Sequence, residues 1–138
     1  MITLILGKSG SGKTKHLIEN ANSEKARGNG NIVFIDTDDS HIFTLDYAVR
    51  LINVKNFHID NVESLYGFIS GIVSRDYDIE KIYLDGIYEI IDFTDEDLRI
   101  LVEKLNVLTK DNDLEILMGL DKHEEELPEG LEVEIKVL

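Results

Sequence analysis

Short continuous apolar runs alternate along this chain with stretches whose apolar residues recur every three or four positions. The runs are ITLIL (residues 2–6), IVFI (32–35), IYL (82–84) and LEILMGL (114–120), each flanked by polar or turn residues. Strands covered on both faces read this way, as in a parallel sheet. NFHI (56–59) is a further short strand candidate. The final LEVEIKVL segment (131–138) alternates instead. Val133, Ile135 and Val137 fall on one side and Glu132, Glu134 and Lys136 on the other, which predicts a half-exposed edge strand.

Between the runs the period becomes helical, the pattern of βαβ units. Leu17, Ile18 and Ala21 share a face of a first helix, which RGNGN (27–31) stops. Leu45, Ala48, Val49 and Ile52 mark a short second helix. Val62, Leu65, Ile69, Ile72 and Val73 mark a third, with Asp60 as its cap. Gly67 and Gly71 lie on one face of that third helix, where close packing on the sheet or a partner surface would use their small size. The fourth helix has the clearest start. Thr94 caps it, Asp95, Glu96 and Asp97 occupy the positive first turn, and Leu98, Leu101, Val102, Leu105 and Leu108 follow. The elements predict an α/β fold with three layers, a mainly parallel sheet of about five strands and an edge strand at the C-terminus. No repeat or linker interrupts residues 1–138, which read as one domain.

Composition narrows the function. A chain of 138 residues buries roughly two-thirds of its unfolded surface, enough for one ordinary core. Cysteine is absent, which excludes disulfides and thiolate chemistry. The amino-terminal MITLILGK has no basic leader region and too short an apolar run to span a bilayer, so a cytoplasmic location without a membrane is expected. The formal net charge is −14, with no basic stripe, which argues against a nucleic-acid partner. Any polyanion site must therefore be made positive locally. The acidic segment DKHEEELPEG (121–130) reads as a solvated loop or short helix.

One stretch meets that requirement. GKSGSGKT (7–14) fulfils the spacing G-x-x-x-x-G-K-T through Gly7, Gly12, Lys13 and Thr14, between a buried strand and an amphipathic helix. In such a loop the glycines let successive N–H groups turn inward, the lysine reaches β- and γ-phosphates, and the threonine hydroxyl meets Mg²⁺. The helix adds its positive end. Gly7, Lys8, Ser9, Gly10, Ser11, Gly12, Lys13, Thr14 and Lys15 are the expected nucleotide-binding residues.

The strand, this loop and the later KIYLDG (81–86) resemble the Walker A and Walker B elements of P-loop NTPases. The element order resembles a minimal RecA-like core and, more loosely, is similar to small bacterial ATP-binding proteins. The resemblance implies a P-loop fold binding ATP and Mg²⁺, with Thr14 and Asp85 on the metal side. No N-K-x-D element specifies guanine, so ATP rather than GTP is the expected nucleotide.

Cutting ATP needs more than holding it: a group to orient water and a cation on the leaving charge. Many RecA-like hydrolases carry a glutamate directly after the Walker B aspartate, where this chain has Gly86. Glu89 and Asp92 follow Asp85, and Asp36, Asp38 and Asp39 leave the end of a predicted strand, where ligands collect in parallel sheets. Lys13, Glu89 and Asp36 are the candidate catalytic residues. Arg27, Arg50, Arg75 and Arg99 all read as solvated helix residues, leaving a cation to come from a protein partner or a second copy. Unaided, such a protein turns over about once in tens of minutes. The four histidines, His16, His41, His58 and His123, show no H-x-x-x-H spacing, so a histidine metal site is not expected. The leading expectation is a switch-like ATP-binding protein with weak or partner-stimulated hydrolysis. The alternatives are a non-enzymatic ATP-binding interaction module and a small-molecule kinase.

Overall fold

A computed structural model describes residues 1–28 and 30–138. Asn29, inside the predicted stop at 27–31, lies outside the described residues. Six strands, β1 (Ile2–Leu6), β2 (Asn31–Asp36), β3 (Arg50–Asn53), β4 (Ile79–Leu84), β5 (Glu115–Leu120) and β6 (Glu134–Val137), form one sheet. Its order is β3-β2-β4-β5-β1-β6, and every neighbouring pair is parallel. The helices are α1 (Lys13–Ala26), α2 (Val62–Arg75) and α3 (Asp95–Asn112).

The continuous apolar runs became central strands because each must cover both faces. Alternate residues of β1 illustrate this: Ile2, Leu4 and Leu6 join a core with α2 and α3, whereas Ile5 joins Leu17, Ile18 and Ala21 of α1. The result is three layers, α1 on one face and α2 with α3 on the other. On the α1 side Tyr83 is fully buried, stacks on Phe34 at 5.9 Å between ring centroids, and donates its hydroxyl to Asn20 Oδ1 at 2.5 Å. No helix among the described residues is long and apolar enough to cross a membrane.

Four expectations are corrected. The segment NFHI is not a strand; the edge strand β3 comes earlier, at Arg50–Asn53, and pairs with β2. The predicted helix through Leu45 and Ile52 does not form. Leu45 and Val49 pack in the α1-side core, while Ile52 packs in the opposite one, so their helical spacing conceals positions on two faces of the sheet. The cap of α2 is Asn61 rather than Asp60: the Asn61 side chain accepts the Ser64 N–H at 2.8 Å. A Cβ on Gly67 or Gly71 would meet nothing within 4 Å, so neither serves close packing on the sheet. The Thr94 cap is as expected, accepting the Asp97 N–H at 3.1 Å.

The last segment is a strand at the sheet edge, joined to β1, but its burial differs from the expectation. Val133 packs on the core, whereas Ile135 and Val137 are exposed. The acidic segment after β5 is solvated as expected, with one 3-10 turn at Glu124–Glu126.

Candidate functional site

The loop between β1 and α1 opens at the carboxyl ends of the strands, where ligands collect in parallel α/β sheets. Gly12 precedes α1 at φ 95°, a left-handed angle that a Cβ disfavours, and its carbonyl accepts the His16 N–H at 2.9 Å. No side chain caps α1 and no acid stands in its first turn. Both other helices close their own starts, with reciprocal Asn61–Ser64 and Thr94–Asp97 caps and acidic first turns. The N–H groups at the start of α1 are thus left for another acceptor, beside the positive end of the helix dipole.

A cavity of about 720 Å³ lies over this helix start. Ser9, Gly10, Gly12, Lys13, Thr14 and Lys15 form its floor, Ile18, Glu19 and Asn22 continue along α1, and His41, Thr44, Tyr88 and Glu89 close the other sides. A larger groove of about 1230 Å³ runs past the amino ends of the strands, by Met1, Lys81 and Glu115, away from the glycine loop.

Three expected loop residues do not face the cavity. Gly7 and Lys8 instead turn their carbonyls to Lys13, which donates to Gly7 at 2.6 Å and to Lys8 at 3.1 Å. The Lys8 side chain points away, donating to the Asp121 carbonyl at 3.0 Å and pairing with Glu126 at 3.1 Å. Ser11 donates its N–H to the Lys8 carbonyl, closing the turn. Lys13 is 5% exposed and its ammonium lies 5.4 Å from the centre of the Tyr88 ring. Burial lowers its pKa, against the pull of Asp121, Asp85 and Glu89.

Thr14 donates its hydroxyl to Asp85 Oδ2 at 2.9 Å, bringing together two residues 71 positions apart. Asp85 follows β4 directly and its N–H donates to the Ile35 carbonyl of β2, so its neighbour in space is Asp36, the last residue of β2. Both carboxylates are buried. Burial pushes the Asp85 carboxyl up, the Thr14 hydroxyl opposes this, and the charge of Asp36 pushes it further. Hydroxyl and carboxylate oxygens are the donors that suit a hard dication such as Mg²⁺, so the Thr14 and Asp85 pair fits the metal expected there.

Of the candidate bases, Glu89 is exposed on the cavity wall, within the 3-10 turn Ile87–Glu89. Asp36 accepts the Thr37 N–H at 2.7 Å and lies 3.0 Å from His41 Nδ1. Asp38 is used locally by Ser40, and Asp39 by Asn53. Gly86 explains why no glutamate follows Asp85. It stands at φ 71°, and a Cβ there would come within 2.6 Å of Thr37 Oγ1. The Thr37 hydroxyl, just after β2, stands where a side chain at 86 would begin.

Sequence reasoning missed His41 and Tyr88. His41 enters through the fold, since the loop after β2 carries it back over Asp36; only the short separation of the two in DTDDSH hinted at it. No arginine lines the cavity among the described residues. No protein-family model matches this chain, and no curated protein matches it in sequence.

Proposed function

We propose that the chain is a Mg-dependent ATP-binding protein of the P-loop class, RecA-like in its core, whose hydrolysis is weak or stimulated by a partner. The observation that carries the reading is the uncapped start of α1 beneath a cavity lined by Lys13 and Thr14, with the buried Asp85 bonded to the Thr14 hydroxyl. An anion is the group such a helix start accepts.

In this reading the N–H groups at the start of α1 donate to phosphate oxygens. Lys13 exchanges the Gly7 and Lys8 carbonyls for the phosphate chain, a stronger, charge-assisted partner. Thr14 and Asp85 would hold Mg²⁺, whose charge would offset that of the phosphates. Glu89 on the cavity wall is the carboxylate that would orient a water in this reading; Asp36, also a candidate, is buried outside the cavity lining and engaged by Thr37 and His41. With Gly86 at the position after Asp85 and no arginine lining the cavity among the described residues, two aids to fast turnover are missing there. Holding ATP, and releasing phosphate slowly until a partner supplies the cation, is the behaviour this leaves.

The test is a single-turnover experiment with protein in excess over Mg-ATP and Lys13→Ala alongside. Wild type should retain nucleotide and convert it slowly to ADP, with neither seen in Lys13→Ala. Equal retention by both proteins would refute the reading.

A further inference from the structure

Asp36, His41 and Asp85 each present one ligand atom, and the three atoms lie within 4.8 Å of one another. A tetrahedral metal that binds nitrogen and oxygen at about 2.0–2.2 Å holds its ligands roughly 3.3–3.6 Å apart, so a contraction of up to about 1.5 Å would close the set around one ion. The frame favours that closure. Asp36 and Asp85 project from the ends of adjacent, paired strands, and Thr14 fixes one Asp85 oxygen from behind. His41 stands on the more exposed loop, where a small shift is inexpensive.

A second observation points to a cation. Asp36 is 2% exposed and Asp85 4%, yet neither has a lysine or arginine ion-pair partner among the described residues; His41 Nδ1 lies 3.0 Å from Asp36 and 3.9 Å from the exposed Asp38, while Asp85 accepts the neutral Thr14 hydroxyl. Buried carboxylates are normally paired with a cation or bound to a metal. Here Asp85 has no charged partner at ion-pair distance among the described residues, and the imidazole beside Asp36 is itself a metal ligand when neutral.

The donor set also selects the ion. Mg²⁺ prefers oxygen ligands and keeps several waters, whereas imidazole suits zinc and its neighbours in the first transition row. We propose that Asp36, His41 and Asp85 form a binding site for a divalent transition metal of the zinc and cobalt class. His41 supplies the preference over Mg²⁺. The site shares Asp85 with the nucleotide reading but needs neither nucleotide nor Lys13.

The test uses the full chain without nucleotide. Co²⁺ is titrated in and followed by its visible absorption, then challenged with Zn²⁺ or Mg²⁺. One Co²⁺ per chain should bind, with Zn²⁺ displacing it and an equal concentration of Mg²⁺ failing to. Affinity should fall at least about tenfold in His41→Ala, since even residues that merely orient ligands cost that much. It should persist in His123→Ala, an exposed histidine outside the cluster. Far-ultraviolet circular dichroism verifies that each variant is folded, and His41→Gln serves if His41→Ala is not. Absence of binding, retention in the folded His41 variant, or equal displacement by Mg²⁺ would overturn the proposal. A chain that binds Co²⁺ in this way but retains no ATP refutes only the nucleotide reading, and the converse result refutes only the metal site.

Discussion

Gly86→Ala tests how the end of β4 and the segment leaving β2 constrain each other. At φ 71° an alanine pays about 1–2 kcal/mol for a left-handed backbone. Its Cβ would lie 2.6 Å from Thr37 Oγ1, an overlap of the kind that costs about 1–3 kcal/mol in a packed site. A stiffer unfolded chain offsets about 0.4–1 kcal/mol of this cost. The expected destabilisation is therefore about 1–4.6 kcal/mol, a sizeable part of the roughly 5–15 kcal/mol that holds a typical domain together. Thr37→Ala separates the two contributions. It removes Oγ1 and leaves Cβ at 3.7 Å, an ordinary contact, so the double variant should recover about 1–3 kcal/mol and keep the backbone cost. Urea unfolding of the four proteins, followed by circular dichroism, gives the cycle. A cost for Gly86→Ala below about 0.5 kcal/mol, or no coupling to Thr37, would refute the reasoning. Gly86→Glu should destabilise for the same reasons and fail to raise phosphate release.

Gly71→Ala should do the opposite: it sits inside α2 with open space around it, so a gain of about 0.5–1 kcal/mol in urea unfolding is expected. Tyr83→Phe removes the donor to Asn20 and should cost about 1 kcal/mol. Burial raises the Tyr83 pKa, so its native contribution falls as pH climbs past the ordinary tyrosine value near 10; the highest-pH step of an alkaline absorbance titration should vanish in the variant. Asp85→Asn removes a buried charge facing Asp36, and should stabilise the ligand-free chain in urea while abolishing Co²⁺ binding in the titration above.

Local signals were the legible ones. The continuous runs announced β1, β2, β4 and β5 because a central strand must be apolar on both faces, and Thr94 with three acids announced α3 because a cap acts within one turn. The start of α2 was misplaced by one residue, since Asp60 and Asn61 are both good caps and only the bond to Ser64 decides between them. The stretch containing β3 imitated a helix because residues from a turn and a strand, packed on opposite sides of the sheet, fell by coincidence at helical spacing. The glycine loop was visible as a pattern, but the diversion of Lys8 toward Glu126 was not, since that partner follows β5. His41 was not legible because no histidine spacing along the chain marks it; its companions come from two strands joined side by side.

The contrast between the self-closed starts of α2 and α3 and the open start of α1 gives the molecule a built-in reporter. Amide protons at the beginning of α1 have no side-chain acceptor of their own, so their exchange with deuterated solvent should be fast in the free chain and slow whenever an anion settles there. Chemically diverse compounds can then be screened without assuming any reaction, with the first turns of α2 and α3 as internal standards in the same spectrum.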